Sequence, residues 1–222
     1  MTAYTWWTYS SLQTFRECPQ RYKFQYVDRL GTSTKSAAME RGNRLHKALE
    51  DYLLSGTPFG ADNAVLAAWK PALDNLRSLK AVAEEMWEFD EGWWPLESGK
   101  TLWHRSKLDA HARKKTTALV VDYKSGRRYP EHRKQKEVYA IDTFAKFDGI
   151  TDLTMEFWYL DEGSGHGIDR TEISRDDIGR IAKRWRLAAG NCLTATKFEP
   201  YPGTACKYCA FAKSKGGPCT KG

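Results

Sequence analysis

The sequence lacks any apolar run long enough to cross a membrane, and it shows no signal-peptide pattern. We therefore expect a soluble, cytoplasmic protein with no membrane partner. Internal repeats and long low-complexity linkers are also missing, so nothing in the sequence marks a domain boundary. No Walker A motif (Gly-x-x-x-x-Gly-Lys-Ser/Thr) occurs, which excludes a P-loop helicase motor from this sequence.

A disulfide framework is equally unexpected, because the five cysteines are odd in number and no secretion signal accompanies them. Three of them lie close together near the end of the sequence. Cys206 and Cys209 form a Cys-x-x-Cys pair, and Cys219 follows after nine intervening residues. This spacing is typical of metal ligands. Residues 212–222 have few apolar side chains, so a metal would also anchor a tail that cannot dock by hydrophobic packing.

Basic residues outnumber acidic ones, 35 to 28, giving a formal net charge of +7. Such a balance favours a polyanionic partner. The tryptophan pairs Trp6-Trp7 and Trp93-Trp94 adjoin polar segments and could stack on bases, although packing in the core is the commoner role of tryptophan.

The most informative stretch runs from Lys107 to Lys124. An apolar run before Asp122 predicts a buried strand over 118–124, and residues 113–117 resemble a hairpin connection. Side chains alternate along a strand, so Asp122 and Lys124 share a face. Asp109 is expected to end the neighbouring strand. Two converging carboxylates suit a hard divalent cation, and the lysine could hold a water or a phosphate oxygen. A salt-bridged strand end is the alternative.

Helices and strands are predicted to mix along the chain, which favours a single α/β domain. Ser10 is the expected N-cap of the first helix, Pro19 suits the first turn of the second, and His46 and Glu50 share a face of the third. A loop is expected over 31–36. The remaining predicted elements are helices over 37–54, 62–79, 131–147 and 176–194 and strands over 82–89, 101–109, 118–124 and 152–160.

In this order the motifs resemble the RecB-like branch of the PD-(D/E)XK nucleases. The similarity is to its iron–sulfur members, which include CRISPR-associated RecB-like exonucleases, the AddB nuclease domain and small phage exonucleases. Each motif is weak alone, but the ordered set is specific. In chain order they are Tyr9–Phe15 with Cys18-Pro19 and Arg21-Tyr22, Gly42–His46 with Glu50, Asp109, Asp122-Tyr123-Lys124, Gln135-x-x-x-Tyr139, and Cys206-x-x-Cys209 with Cys219.

The resemblance implies a restriction-endonuclease-like fold, in which helices flank a mixed sheet. One nuclease domain would span 1–222. Its parts would be a helical N-terminal region over 1–81, a nuclease core over 82–165, and a C-terminal helix with a cysteine-rich tail over 166–222, docked by a metal cluster.

The resemblance also implies residue roles. Lys124 would orient or activate the attacking water beside Asp109 and Asp122. The other assignments are a Mg²⁺ or Mn²⁺ site at His46, Asp109, Asp122 and the Tyr123 carbonyl, DNA-backbone contacts at Gln135 and Tyr139, and a four-iron, four-sulfur cluster at Cys18, Cys206, Cys209 and Cys219. Four thiolates could instead bind zinc, and Cys192 lies close enough in sequence to compete as a ligand.

The expected function is that of a metal-dependent DNA exonuclease acting on free or single-stranded ends. Recombination, repair or phage DNA processing would be its setting, with a single-strand annealing or recombination protein as partner. Arg127 and Arg128 follow the Asp-x-Lys strand and are expected to bind DNA. The alternative is a non-catalytic module that binds DNA ends and uses an iron–sulfur or zinc site as a structural clasp.

Overall fold

A five-stranded mixed sheet forms the centre of the fold. The computed structural model describes residues 4–31 and 36–221. The strands are β1 (Val82–Phe89), β2 (His104–Lys114), β3 (Thr117–Lys124), β4 (Asp152–Tyr159) and β5 (Ile168–Ser174). They lie side by side in chain order, and only the β3–β4 pair is parallel within the described sheet. Helices flank the sheet, so the predicted α/β arrangement is confirmed.

Six α-helices accompany the sheet in the part of the chain that the structure covers. They are α1 (Tyr9–Glu17), α2 (Pro19–Tyr22), α3 (Ala37–Ser55), α4 (Lys70–Ser78), α5 (Glu131–Lys146) and α6 (Ile178–Leu193). A π-helical turn (Lys23–Val27) follows α2, and a 3₁₀ segment (Ala61–Trp69) precedes α4. The predicted helix over 62–79 is therefore two elements. Of the predicted loop over 31–36, residues 32–35 lie outside the described residues.

Helix α1 begins two residues earlier than the sequence suggested. Thr8 is the N-cap instead of Ser10, because the Thr8 hydroxyl accepts a hydrogen bond from the Ser11 amide at 3.1 Å. The Ser11 hydroxyl accepts one from the Thr8 amide at 2.9 Å, which closes a reciprocal capping box. Helix α3 is capped by Ser36 and ends at Gly56, whose φ of +76° suits a glycine C-cap.

The sheet separates two hydrophobic clusters. One, here called the α5/α6 cluster, is built around Trp7, Trp87, Val138, Phe144 and Trp185. The other, the α3/α4 cluster, is built around Leu45, Leu49, Leu66, Leu73 and Trp158. The paired tryptophans, for which stacking on bases was the alternative to core packing, divide between surface and core. Trp7 and Trp93 are buried in the α5/α6 cluster, whereas Trp94 is exposed.

Strand β2 differs from its prediction in a way that matters for the site. It runs from His104 to Lys114 instead of ending at Asp109, so Asp109 lies in its interior. The hairpin connection shrinks to Lys115 and Thr116 between β2 and β3. Strand β2 continues past Asp109 through polar residues. His111 is buried against aromatic rings, and Lys114 lies exposed next to the hairpin.

Helix α5 connects the parallel strands β3 and β4. Its buried residues Val138, Ile141 and Phe144 pack in the α5/α6 cluster, which fixes its first turns beside the end of β3. Strand β5 was not predicted; it pairs antiparallel with β4 and extends the sheet beyond the expected core of 82–165. None of the described helices combines the length and apolar character needed to span a bilayer.

Candidate active site

Asp109, Asp122 and Lys124 meet where β2 and β3 run side by side. Ala110 pairs with Val121, so Asp109 and Asp122 follow on neighbouring strands. The Tyr123 amide donates a hydrogen bond to Asp109 Oδ2 at 2.6 Å, which ties one carboxylate to the strand that carries the other. Both aspartates are buried. The two carboxylates lie together as expected from the sequence, but Asp109 lies inside its strand and not at the strand end on which that expectation rested.

Asp122 and Lys124 share a face of β3, and residues from α5 hold both of them. The Lys124 ammonium lies 2.6 Å from Asp122 Oδ2 and donates to Gln135 Oε1 at 2.8 Å. The Tyr139 hydroxyl donates to Asp122 Oδ1 at 2.9 Å and accepts from Gln135 Nε2 at the same distance. Tyr139 is only 6% exposed. Its geometry therefore suits support of Asp122 rather than the DNA contact expected from the sequence.

Helix α3 brings His46 against the same pair of strands. Gly42 permits a close approach, because a Cβ there would lie 3.0 Å from Ser125 Oγ just beyond β3. His46 Nδ1 lies 3.2 Å from Asp109 Oδ1, and Nε2 lies 3.0 Å from the Tyr123 carbonyl oxygen. The predicted ligands His46, Asp109 and the Tyr123 carbonyl are therefore in direct contact.

The electrostatics of this site favour a positive charge. Burial raises the pKa of Asp109, and the charge of Asp122 raises it further. Burial lowers the pKa of His46, but the hydrogen bond and charge of Asp109 outweigh burial, so the net shift is upward. Two carboxylates in a poorly solvated place repel each other unless a cation lies between them.

Glu84 on β1 is a site residue that the sequence interpretation missed. His46, Glu84 and Asp109 each present a ligand atom, and these atoms lie within 4.8 Å of one another. The predicted ligand Asp122 is not in this group. The adjacent acids Glu84 and Glu85 in a predicted strand could have indicated such a residue. Because side chains alternate along a strand, one of the two acids must point to the face that carries the site.

The donor set fits a hard divalent cation. Carboxylate oxygens, an imidazole nitrogen and a carbonyl oxygen match the ligand preferences of Mg²⁺ and Mn²⁺. Glu84 Oε1 is buried and has no hydrogen-bond partner among the described residues. An orphaned carboxylate oxygen beside two further ligands is consistent with a site that a cation completes.

The two arginines assigned to DNA differ in their surroundings. Arg127 is exposed after the end of β3. Arg128 makes a two-pronged ion pair with Glu162, with Nε 3.0 Å from Oε1 and Nη2 2.7 Å from Oε2. Its guanidinium also stacks over the ring of Tyr159 at 4.4 Å. Arg128 is thus already neutralised, whereas Arg127 can offer its charge to a phosphate.

A second concentration of candidate ligands lies away from the carboxylates. Cys18, Cys206, Cys209 and Cys219 line one small cavity between α1 and the tail. The Tyr201 amide donates to Cys18 Sγ at 3.4 Å, and the Gly203 amide donates to Cys206 Sγ at 3.5 Å. Cys192 is not among the lining residues; it is buried in the α5/α6 cluster, where burial raises the pKa of its thiol to about 11.

The spacing of these sulfurs bears on what the cavity could hold. Tetrahedral zinc with Zn–S bonds of about 2.3 Å brings its sulfurs within about 3.8 Å of one another. The cysteines form no group of three with sulfurs within 4.8 Å in the described part of the chain. The arrangement is therefore wider than a single zinc ion requires.

Comparison with known proteins identifies the family. The family model described as the PD-(D/E)XK nuclease superfamily matches residues 6–214. The chain belongs to this superfamily. The restriction-endonuclease-like fold expected from the sequence is thereby confirmed. The match identifies a nuclease of this superfamily but does not identify the branch to which it belongs.

Two solved structures resemble this nuclease. A protein from Eubacterium rectale described as a putative exonuclease is 11% identical, with a TM-score of 0.56 over 92% of this chain and 87% of that one. A structure named SSO0001 is 17% identical, with a TM-score of 0.49 over 100% and 89%. At such identities the likeness to the first concerns the fold alone. No curated protein matches the chain.

Proposed function

We propose that this PD-(D/E)XK nuclease is a divalent-metal-dependent DNA exonuclease. The observation that carries the proposal is the meeting of His46, Asp109, Asp122 and Lys124 beside one pair of strands. A non-catalytic DNA-binding module would not need a lysine held against a buried carboxylate next to a histidine–aspartate pair. The fold shared with an exonuclease-like protein from Eubacterium rectale adds support only at the level of architecture.

Each side chain has a role in phosphodiester hydrolysis. A bound Mg²⁺ or Mn²⁺ supplies Lewis-acid activation of the phosphoryl group. His46 and Asp109, with the Tyr123 carbonyl, would hold this cation. Lys124 holds a water or a phosphate oxygen with its ammonium, which Asp122 and Gln135 position. Asp122 thereby positions the lysine, and its buried negative charge beside Asp109 favours a cation at the site.

The substrate we propose is DNA with free or single-stranded ends, processed in recombination, repair or phage DNA metabolism. The net charge of +7 and the exposed Arg127 support a polyanionic substrate. A single-strand annealing or recombination protein is the proposed partner, by fold-level analogy with small phage exonucleases.

Cleavage of end-labelled DNA with Mg²⁺ or Mn²⁺ tests the proposal. Asp109→Ala and Lys124→Ala should each lower the rate by roughly 100-fold or more, while DNA binding persists. The first removes a ligand of the activating cation, and the second removes a positive charge at the reacting phosphate. The exposed residues Asp148 and Lys100 provide matched controls, and alanine there should leave cleavage unchanged. Near-normal cleavage by either site variant would show the active site to be misassigned. Wild-type protein that binds DNA ends but never cleaves them would favour the DNA-binding module.

We also propose that Cys18, Cys206, Cys209 and Cys219 bind a four-iron, four-sulfur cluster. Their shared cavity and the backbone N–H donors to Cys18 and Cys206 support a metal centre at these thiols, with zinc as the alternative to the cluster. Such a cluster would fasten the tail to α1, since the thiolates come from both.

Protein purified without oxygen should be brown and contain iron and sulfide. Serine at any of the four positions should remove the cluster and lower the soluble yield, whereas Cys192→Ser should retain the cluster. Metal analysis that found zinc without iron would refute the iron–sulfur cluster but would leave a metal that links the tail to α1. Loss of metal in Cys192→Ser, together with retention in Cys18→Ser, would overturn the ligand set.

A further inference from the structure

Glu84 lies beside the site but belongs to none of the sequence motifs. In the antiparallel register it lies opposite Asp109, since Ala83 pairs with Ala110 and Glu85 with Leu108. Its φ is +55°, a left-handed value that a non-glycine residue adopts against a steric cost. A strained backbone that persists beside an active site indicates that the position of this side chain matters.

The regular alternation of side chains breaks at the same point on β2. Leu108 packs in the α5/α6 cluster, whereas Ala110 packs in the α3/α4 cluster on the other face. Residues two apart in a regular strand share a face, so the strand is irregular at Asp109. The combined irregularity of β1 and β2 lets the carboxylates of Glu84 and Asp109 approach His46 together.

The Glu84 carboxylate is only partly neutralised. One oxygen contacts the Lys107 ammonium, while Oε1 is buried without a hydrogen-bond partner in the described residues. The Glu84 side chain is 13% exposed and that of Lys107 is 55% exposed. A buried carboxylate oxygen that accepts no hydrogen bond is costly, and an ordinary surface ion pair would not create one.

We propose that Glu84 is an additional ligand of the divalent cation held by His46 and Asp109. In the metal-free protein the Lys107 ammonium forms an ion pair with Glu84, and the metal replaces it on binding. The proposal rests on the metal-dependent function proposed above. Metal and ammonium then compete for one carboxylate. Displaced Lys107 turns outward on its long, mostly exposed side chain, toward the groove that it lines with Arg105 and Gln135.

Binding of Mn²⁺ to DNA-free protein, measured by calorimetry, tests this competition without any activity assay. Glu84→Gln keeps the shape but removes the charge, and it should weaken Mn²⁺ binding about tenfold or more. Lys107→Met keeps the length but removes the competitor, and it should tighten binding. The matched control is Glu85→Gln: Glu85 is the next residue, but it faces His111 instead of the site, so its affinity should equal wild type.

A double mutant separates specific competition from a general effect of charge. In the Glu84→Gln background, Lys107→Met should no longer tighten binding, because the carboxylate for which the lysine competes is gone. Circular dichroism and thermal melting establish that each variant is folded. If Glu84→Gln does not fold, Lys107→Met still tests the competition, because this variant is expected to bind Mn²⁺ more tightly than wild type.

The outcomes distinguish this proposal from the function on which it rests. Wild-type affinity in Glu84→Gln, with affinity lost in Asp109→Asn, would overturn the role of Glu84 and leave the metal site standing. Weaker binding in Lys107→Met, or tightening that persists in the double mutant, would also overturn it. Wild-type protein that bound no Mn²⁺ would overturn both proposals together.

Discussion

His111 on β2 shows how strongly the core acts on a single residue. It is buried against the rings of Trp87 and Phe147, and its Nε2 lies 2.6 Å from Glu85 Oε2. Burial lowers the pKa of His111 and outweighs the raising effect of Glu85. The imidazole therefore stays neutral in the folded protein at pH values where it is charged in the unfolded chain.

Stability should fall on acidification for this reason. An unfolded histidine gains a proton as the pH falls through about 6.5, whereas folded His111 does not, so the free energy of unfolding decreases below that pH. Replacing His111 with Gln removes this coupling. Thermal melts at pH 7.5 and 5.5 should show a smaller loss in His111→Gln than in wild type. Equal losses of thermal stability in the two proteins would contradict a lowered pKa for His111. The other histidines are present in both proteins, so their contributions to the difference cancel.

At the level of elements, a buried polar network joins α5, β2 and the segment after β1. Asp142 of α5 accepts hydrogen bonds from Trp93 Nε1 at 2.8 Å and from the Ser106 hydroxyl, and it lies 3.1 Å from His104 Nε2. Serine, histidine and aspartate meet here as in a hydrolase triad. His104 and Asp142 are 0% exposed, so no substrate reaches them and the role is structural.

Removing Asp142 should therefore destabilise the fold. In Asp142→Ala, Trp93, Ser106 and His104 lose a shared partner inside the core, and the expected cost is about 3–5 kcal/mol. Urea unfolding monitored by tryptophan fluorescence measures it. Asp148→Ala, at an exposed position just after α5, should change stability by less than about 0.5 kcal/mol. A loss for Asp142→Ala as small as that of the control would show that the network contributes little.

Elements with clear periodicity could be predicted from sequence, and irregular ones could not. Helix α3 and strands β1, β3 and β4 agree with their predicted bounds to within a residue or so. In α3 the apolar residues recur at the helical period, and β3 is a short apolar run. Strand β5 has half-buried and exposed positions at the sheet edge and therefore no apolar run to reveal it. The left-handed backbone of Glu84 has no sequence signal either, since glutamate is not a residue that prefers it.

The site residues also include some that could be predicted from the sequence and some that could not. Asp122 and Lys124 follow from strand alternation, and the position of Asp109 was found despite an incorrect strand end. The adjacent acids Glu84 and Glu85 mark the right strand in the sequence, but the left-handed backbone at Glu84 has no sequence signal. Arg128 also could not be judged from sequence, because its partner Glu162 is far along the chain.

At the scale of the whole molecule, charge should govern association with DNA. The net charge is +7, yet cations near the site, such as Arg128 and Arg41, are paired with acidic residues. Contact with phosphates then depends on exposed groups such as Arg127.

DNA affinity should consequently fall steeply with salt and persist when divalent metal is chelated. Each neutralised phosphate contributes about −0.9 to the slope of log affinity against log salt concentration on duplex DNA. Fluorescence anisotropy between 50 and 200 mM salt in EDTA measures this slope. Arg127→Ala should reduce its magnitude by about 1, whereas Lys100→Ala should not. Affinity independent of salt would show that the basic surface is merely solvated.

The packing of the N-terminal segment has a consequence for how the protein is made. Trp7 stacks on Trp185, Tyr22 on Phe198, and Phe24 packs against Phe211. A ribosome adding about 5–20 residues per second needs roughly 10–40 s to reach those partners after the first helices emerge. During that time α1 and α2 carry bare aromatic surface and a reduced Cys18. We expect the nascent chain to engage holding chaperones through this segment until residues 185–211 have been translated and can cover it.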